Sequence, residues 1–260
     1  MKEIKVHGIV LREDPMGDKD KRLVLLSAEM GKLTILAKGA LGVKSKFRSL
    51  CSQFCFGEYI LTKGKTFYYI KEGTLAESFY ELRTNIDRLA YGSFMLEVAE
   101  EFSLEGQENR DLLEILFRGL KMETLCQEGM ESIPADVTVF RILAQNGYYP
   151  ELARCRFSEG PEDPDHVLNT DDSVFLPGTG SVCCARCARS GRAGAGVRLS
   201  PGALAALRYS IEQPSQKAYA FTVSDEVRRQ IHEAVTDYLV EQTEHTYTSL
   251  GFIAKITSAP

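Results

Sequence analysis

The chain has 260 residues and a net charge of −5, with 44% hydrophobic and 26% charged residues, a composition that supports one large core or two or three smaller ones. Its opening, MKEIKVHGIVLRED, lacks the apolar core of a signal peptide, and no run is long enough to span a bilayer, so a cytosolic protein is expected. Seven cysteines, an odd number without an export signal, argue against structural disulfides.

Charge is divided unevenly: residues 1–80 carry +5 and the remaining 180 carry −10. A basic amino-terminal module on an acidic body suits a nucleic-acid binder whose body meets other proteins. Ile4, Val6, Ile9 and Leu11 give a first strand pattern, followed by the charged turn EDPMGDKDK. Arg22–Ser27 and Leu33–Ala37 are two more apolar runs, with Glu29-Met30-Gly31 as the turn between them. Phe54–Thr62 and Thr66–Lys71 form a further pair joined at Lys63-Gly64-Lys65, a hairpin signal. Five short strands in this space predict a small barrel, for which the oligonucleotide-binding (OB) type is the commonest solution.

Between the third and fourth strands lies the stretch Lys32–Arg48, KLTILAKGALGVKSKFR, with five cations and no acid. Gly39, Gly42 and Ser45 let the backbone bend along a polyanion while the charges reach outward, and phosphates are the target this pattern predicts. The expected DNA-binding set is Lys38, Lys44, Lys46 and Arg48 with Arg22 and Lys32 on adjacent strand ends. Phe67, Tyr68 and Tyr69 are consecutive, so alternation turns at least one ring outward, either to stack a base or to pack on the helical body.

Past Glu77 the period lengthens. Leu82, Ile86, Leu89, Phe94, Val98 and Phe102 mark one amphipathic helix, and Leu112, Ile115, Leu116 and Leu120 behind Asp111 mark a second. A third is expected from Ser132, with Pro134 in its first turn, to the stop signal Asn146-Gly147. Residues 155–197 are rich in Gly, Ser, Asp and Pro and bury so little that they need a partner or a staple. Ser200-Pro201 then opens a helix bearing Leu204, Leu207 and Ile211, and Ser224 caps a last one bearing Val227, Ile231, Val235 and Tyr238.

Cys184-x-x-Cys187 is half of a zinc site, because two thiolates at this spacing grip one tetrahedral ion. Cys155 lies 29 residues before Cys184, but the position that would complete its pair is Ser158, a poor ligand at neutral pH. The expected ligands are Cys155, Cys183, Cys184 and Cys187, with His166 the other candidate for the fourth place, and any such zinc is structural. Enzymatic motifs fail on inspection. Gly64-Lys65-Thr66 mimics the end of a phosphate-binding loop, but Tyr59 stands where the first glycine belongs. His232-Glu233 begins a zincin-like motif whose second histidine is replaced by Thr236, and the four histidines form no acid–base set.

These residues resemble the RecO family of DNA repair proteins. The likeness is carried by His7-Gly8-Ile9-Val10-Leu11, Gly17-Asp18-Lys19-Asp20-Lys21-Arg22, Gly31-Lys32-Leu33, Ala37-Lys38-Gly39-Ala40 and Lys44-Ser45-Lys46-Phe47-Arg48. It continues through Leu89-Ala90-Tyr91, Gly147-Tyr148, Pro150-Glu151-Leu152 and the cysteine segment to Leu199-Ser200. The family's zinc module commonly holds two CxxC pairs, from which Ser158 departs, and the family's basic ending is weak in HTYTSLGFIAK.

The resemblance implies an α+β chain: an OB-fold domain (1–80), a helical domain in two parts (81–150 and 199–260) and an inserted zinc-ribbon-like cysteine segment (151–198). It implies a non-catalytic, cytoplasmic, nucleoid-associated mediator of recombination. Such a protein binds single- and double-stranded DNA, anneals complementary strands and contacts the acidic tail of single-strand-binding protein. With RecR it helps RecA replace that protein on DNA, and no membrane is involved. The alternative sharing the same barrel is a general single-stranded DNA- or RNA-binding protein without annealing activity.

Overall fold

A computed structural model describes residues 3–160, 163, 165–168 and 170–257. The chain divides into two compact units, residues 1–124 with 249–260, and residues 125–248.

The first unit is built on five strands: β1 (Glu3–Met16), β2 (Asp20–Ser27), β3 (Gly31–Ala37), β4 (Phe56–Lys63) and β5 (Tyr68–Glu77). They close a barrel in the order β1-β2-β3-β5-β4, antiparallel throughout except where β3 and β5 run parallel. The five-stranded barrel expected from the sequence is therefore present. Its interior takes alternate residues, Val6 and Val10, Leu23 and Leu25, Leu33 and Ile35, Tyr59 and Leu61, as the period of a pleated strand demands. Ile9, Leu11, Val24 and Leu26, on intervening positions, are also buried, so β1 and β2 are covered on both faces. A register shift between Val10 and Arg12 lets β1 continue past Leu11, where the sequence pattern faded, to pair Met16 with Asp20.

The helices α1 (Ile86–Glu101) and α2 (Arg110–Leu125) complete this unit with a short 3₁₀ turn at Tyr80–Arg83. Asn85 caps α1, its carboxamide oxygen accepting from the Asp87 and Arg88 N–H groups. Phe117 of α2 meets Phe56 and Phe79 edge to face, at centroid distances of 4.9 and 5.3 Å. Phe56 and Phe54 thus serve the outside of the barrel, the Phe54 ring lying 3.1 Å from where a Cβ on Gly92 would stand, and Tyr59 is the aromatic residue that fills the interior.

The turn between β2 and β3 is clamped by the loop joining α1 to α2: Asn109 N–H donates to Ala28 O at 2.9 Å, Gly106 N–H to Met30 O at 3.0 Å and Lys32 N–H to Leu104 O at 3.1 Å. Gly31 stands inside this clamp at φ +65°, where a Cβ would lie 2.1 Å from Leu104 O. Gly31→Ala is expected to destabilise this unit by well over ~1 kcal/mol in urea unfolding. Gly17→Ala, at φ +66° with open space around it, isolates the smaller backbone contribution.

The second unit contains α3 (Ser132–Gln145), β6 (Glu151–Cys155), β7 (Ser173–Leu176), β8 (Ser181–Cys183), α4 (Ala185–Arg189), β9 (Val197–Leu199), α5 (Pro201–Glu212) and α6 (Asp225–Thr243). The four strands form a sheet in the order β6-β8-β7-β9, in a segment whose composition promised only isolated apolar runs. Ser200 and Ser224 cap α5 and α6, accepting from Ala203 and Val227 N–H. Tyr238 ties sheet to helices: its ring meets Phe175 at 5.4 Å and Phe140 at 6.0 Å, and its hydroxyl donates to Tyr148 O at 3.1 Å. Arg141 closes the helical side, donating to Ser210 O at 2.6 Å and Gln213 O at 2.9 Å.

A last helix, α7 (Thr248–Thr257), is separated from α6 by Glu244 in the left-handed conformation, φ 51°. The sequence reading placed no separate helix there. From Ser249 it belongs with the first unit, where Glu97 accepts from the Ser249 N–H at 2.9 Å. Among the described residues no helix is long and apolar enough to cross a membrane.

Candidate nucleic-acid interface and metal centre

The loop between β3 and β4 is anchored at intervals. Ala40, Leu50 and Cys51 are buried in the barrel core, Phe47 packs against it, and the Tyr59 hydroxyl donates to Leu50 O at 3.1 Å. Lys21 Nζ donates to Cys51 O at 3.1 Å and is also paired with Glu13. Gly39 N–H donates to Asp20 Oδ1 at 2.8 Å and Leu41 N–H to Lys19 O at 3.0 Å, fixing the start of the loop to the β1–β2 turn. Burial pushes the Cys51 thiol up to about 12 and raises Cys55 as well, so both are neutral packing groups.

Between these anchors the charges point out. Lys38, Lys44, Lys46 and Arg48 are exposed, as are Leu41 and Val43, the latter at 84%. The barrel's salt bridges use Lys5, Arg12, Lys21, Arg22 and Lys71, and the four loop cations take part in none among the described residues. Lys38 and Lys46 instead lie near aromatic rings, 5.0 Å from the Tyr69 centroid and 4.9 Å from the Phe47 centroid. The other two residues of the expected set are engaged. Arg22 bonds Asp14 at 2.8 Å across the β1–β2 pair, and Lys32 donates to Glu100 O at the end of α1 at 3.1 Å.

The second site lies in the cysteine segment. The Sγ atoms of Cys155, Cys184 and Cys187 and a ring nitrogen of His166 all lie within 4.8 Å of one another, and the three cysteines are buried. This set could hold a metal ion. Cys155 ends β6, Cys184 precedes α4 and Cys187 lies within it, so strand end and helix turn deliver three thiols to one point. Cys155 Sγ is 3.9 Å from Cys187 Sγ, and His166 Nδ1 is 3.3 Å from Cys187 Sγ and 3.6 Å from Cys184 Sγ. A regular zinc tetrahedron with Zn–S of ~2.3 Å and Zn–N of ~2.05 Å has S···S edges of ~3.8 Å and S···N edges of ~3.5 Å. The residues present fit that ion.

Cys183 is not one of the four. It ends β8, paired with Val174, fully buried, and its thiol is pushed up to about 11 by burial and by neighbouring Cys155 and Cys184. Successive residues at a strand end face opposite ways, which separates it from Cys184. Ser158 is spent locally, bonding Gly160 O. His166 fills the place instead, with Asp163 3.9 Å from its Nε2. Burial raises both coordinating-pair thiols, yet the Cys187 N–H and His166 draw Cys184 down to about 7, while burial and adjacent Cys184 hold Cys187 up at about 12.

Comparison with known proteins covers nearly the whole chain. Residues 1–79 match the family model for the Recombination protein O N terminal, and residues 83–251 match that for the Recombination protein O C terminal. The DNA repair protein RecO of Acetivibrio thermocellus is 29% identical over 255 residues, 97% of each chain. Those of Clostridium acetobutylicum and Symbiobacterium thermophilum are 25% and 27% identical over 96% and 98% of each chain. With both halves matched and relatives aligned end to end, the chain belongs to the RecO family of DNA repair proteins.

Proposed function

We propose that this chain is a non-catalytic recombination mediator that binds single- and double-stranded DNA through the loop between β3 and β4 and promotes annealing of complementary strands. The observation that carries this reading is the set of four exposed cations on one anchored loop, none of them neutralised by a carboxylate among the described residues. Lys38, Lys44, Lys46 and Arg48 would neutralise successive phosphates, lowering repulsion between two strands so that bases pair without nucleotide hydrolysis. Arg22 and Lys32, held by Asp14 and the Glu100 carbonyl, come to phosphate only by exchanging those partners. Family membership supports work with RecR on RecA loading, a contact with the acidic tail of single-strand-binding protein, and a cytoplasmic place at the nucleoid. Zinc at Cys155, His166, Cys184 and Cys187 would be structural: with four protein donors the tetrahedron is closed and no position is open to substrate.

If four phosphates are neutralised, log K for single-stranded DNA falls with log[salt] at a slope of about −2.8. Reversing Lys44, Lys46 and Arg48 to glutamate should cut the slope to about −0.7 or less, weaken binding and slow annealing of complementary oligonucleotides. Unchanged binding in that variant ends the loop assignment. Binding without any annealing by the wild type would instead mark a strand-coating protein.

A further inference from the structure

The strand β5 opens with two partly buried tyrosines on opposite faces, and Lys63 Nζ lies 6.0 Å from the Tyr68 centroid. Tyr68 and Ile70 pack against the barrel interior, so alternation sends Tyr69, between them, to the outer face. There the register sets Tyr69 opposite Leu36 of β3 and Thr62 of β4, and the next neighbour of Leu36 is Arg22 of β2. Directly opposed residues share a face, so ring and guanidinium stand on one surface with a single apolar residue between them. One edge of the ring rests on the β4–β5 turn: a Cβ at Gly64 would lie 2.4 Å from Tyr69 Cε2, and Gly64 N–H donates to Phe67 O at 2.9 Å. The ring is therefore held by the hairpin yet partly exposed. Lys38, the first cation of the basic loop, stands 5.0 Å from its centroid, and exposed Lys63 and Lys65 flank the same turn.

A fixed, partly exposed aromatic face beside unneutralised cations has the chemistry of a site for an unpaired nucleobase whose flanking phosphates need countercharge. We infer that Tyr69 stacks one unpaired base of single-stranded DNA, with Lys38 taking the phosphate beside it. This rests on the reading of the loop as a DNA-binding surface. In the free protein the Lys38 ammonium lies over the ring; an arriving phosphate is the stronger partner for the cation, and the base takes the vacated contact. Duplex DNA offers no unpaired base, so Tyr69 distinguishes single strands from duplex on a surface whose cations treat both alike.

The chain contains no tryptophan, so Tyr69→Trp introduces a lone indole reporter into the full-length protein. It is titrated with a thymidine oligonucleotide and with an abasic phosphodiester strand of equal length, binding being followed separately by the anisotropy of an end label. Both strands should bind, and only the thymidine strand should quench the indole. Tyr69→Ala should weaken thymidine-strand binding ~5- to 150-fold, the range that loss of one base stack allows, and leave the salt slope, the abasic strand and duplex binding unchanged. Tyr69→Phe should bind as the wild type does. Thymidine binding with a silent indole overturns the proposal, as does a Tyr69→Ala loss that is absent or equal on all three ligands. If neither strand binds the wild type, the loop reading has failed and stacking fails with it, a result distinct from strands that bind while the indole stays silent.

Discussion

Stripping the chain with a zinc chelator, or replacing Cys184 with serine, is expected to release a single bound zinc ion and collapse local order around the cysteine cluster. The reason lies in how little else holds that region. Residues 156–172 have few buried apolar side chains among those described, and α4 is five residues long, too short to be stable alone. The cluster joins them to β6 at one point. Structural zinc in isolated finger peptides supplies ~10–16 kcal/mol of folding free energy, so its loss should exceed any other single perturbation of this unit.

The loss should also be local. The sheet is held to the helices independently, by Phe175 on Tyr238, by Gln242 Nε2 donating to Pro177 O at 2.8 Å, and by Arg208 Nε donating to Leu152 O at 2.7 Å. Hydrogen exchange should therefore show protection lost at 155–160, 165–168 and 183–192, with the barrel strands unchanged. His166→Cys, which restores a fourth thiolate, should retain the metal, and His166→Ala should weaken it. Metal analysis giving no zinc in the purified wild type, or a His166→Ala protein that holds it as tightly, would remove His166 from the site.

What the sequence could and could not disclose follows from which constraints are local. The places of β1–β4, the caps Ser200 and Ser224 and the stop at Asn146-Gly147 all depend on neighbours within a few residues, and each is close to where the pattern put it. The Cys184–Cys187 pair is legible for the same reason. His166 is legible only as an alternative to Cys183 for the fourth place, because its distance of 18 residues from Cys184 crosses a loop whose path only the folded chain defines. The signal available was chemical: it is the one histidine between Cys155 and Cys187. Lys32 reads as a free cation until α1 delivers the Glu100 carbonyl, 68 residues away. Arg22 could have been paired from sequence, since a hairpin turning near Gly17 with Met16 opposite Asp20 sets Asp14 opposite Arg22. The helix α7 escaped because the break before it is made by Glu244 in a left-handed conformation, without the glycine or proline that usually announces one.

The second large effect is expected at a histidine whose zincin-like motif is broken and whose buried partner lies 96 residues away. His232 Nδ1 lies 2.8 Å from Oδ1 of Asp136, joining α6 to α3, and the Asp136 side chain is fully buried. Burial pushes the Asp136 carboxyl up, and the Asp136 charge raises His232 above its ordinary 6.5, reinforced by Asp237 and opposed by Arg228. The pair consequently holds one proton near neutrality. A histidine raised by folding contributes stability that is complete below about 6.5 and is lost as pH rises through the higher folded value, where deprotonation leaves a carboxylate buried beside a neutral ring. Stability of this unit to urea should decline over that interval, and in His232→Gln the decline should vanish. His232→Ala should cost ~3–5 kcal/mol at neutral pH, because the buried partner charge loses its main counterion and keeps only Ser132 and Arg228. Adding Asp136→Asn to His232→Ala should recover much of that loss, since the penalty belongs to the stranded carboxylate more than to the missing imidazole. A double variant no more stable than His232→Ala would show that the histidine acts by packing, and a flat pH profile in the wild type would show that the shared proton contributes nothing to folding.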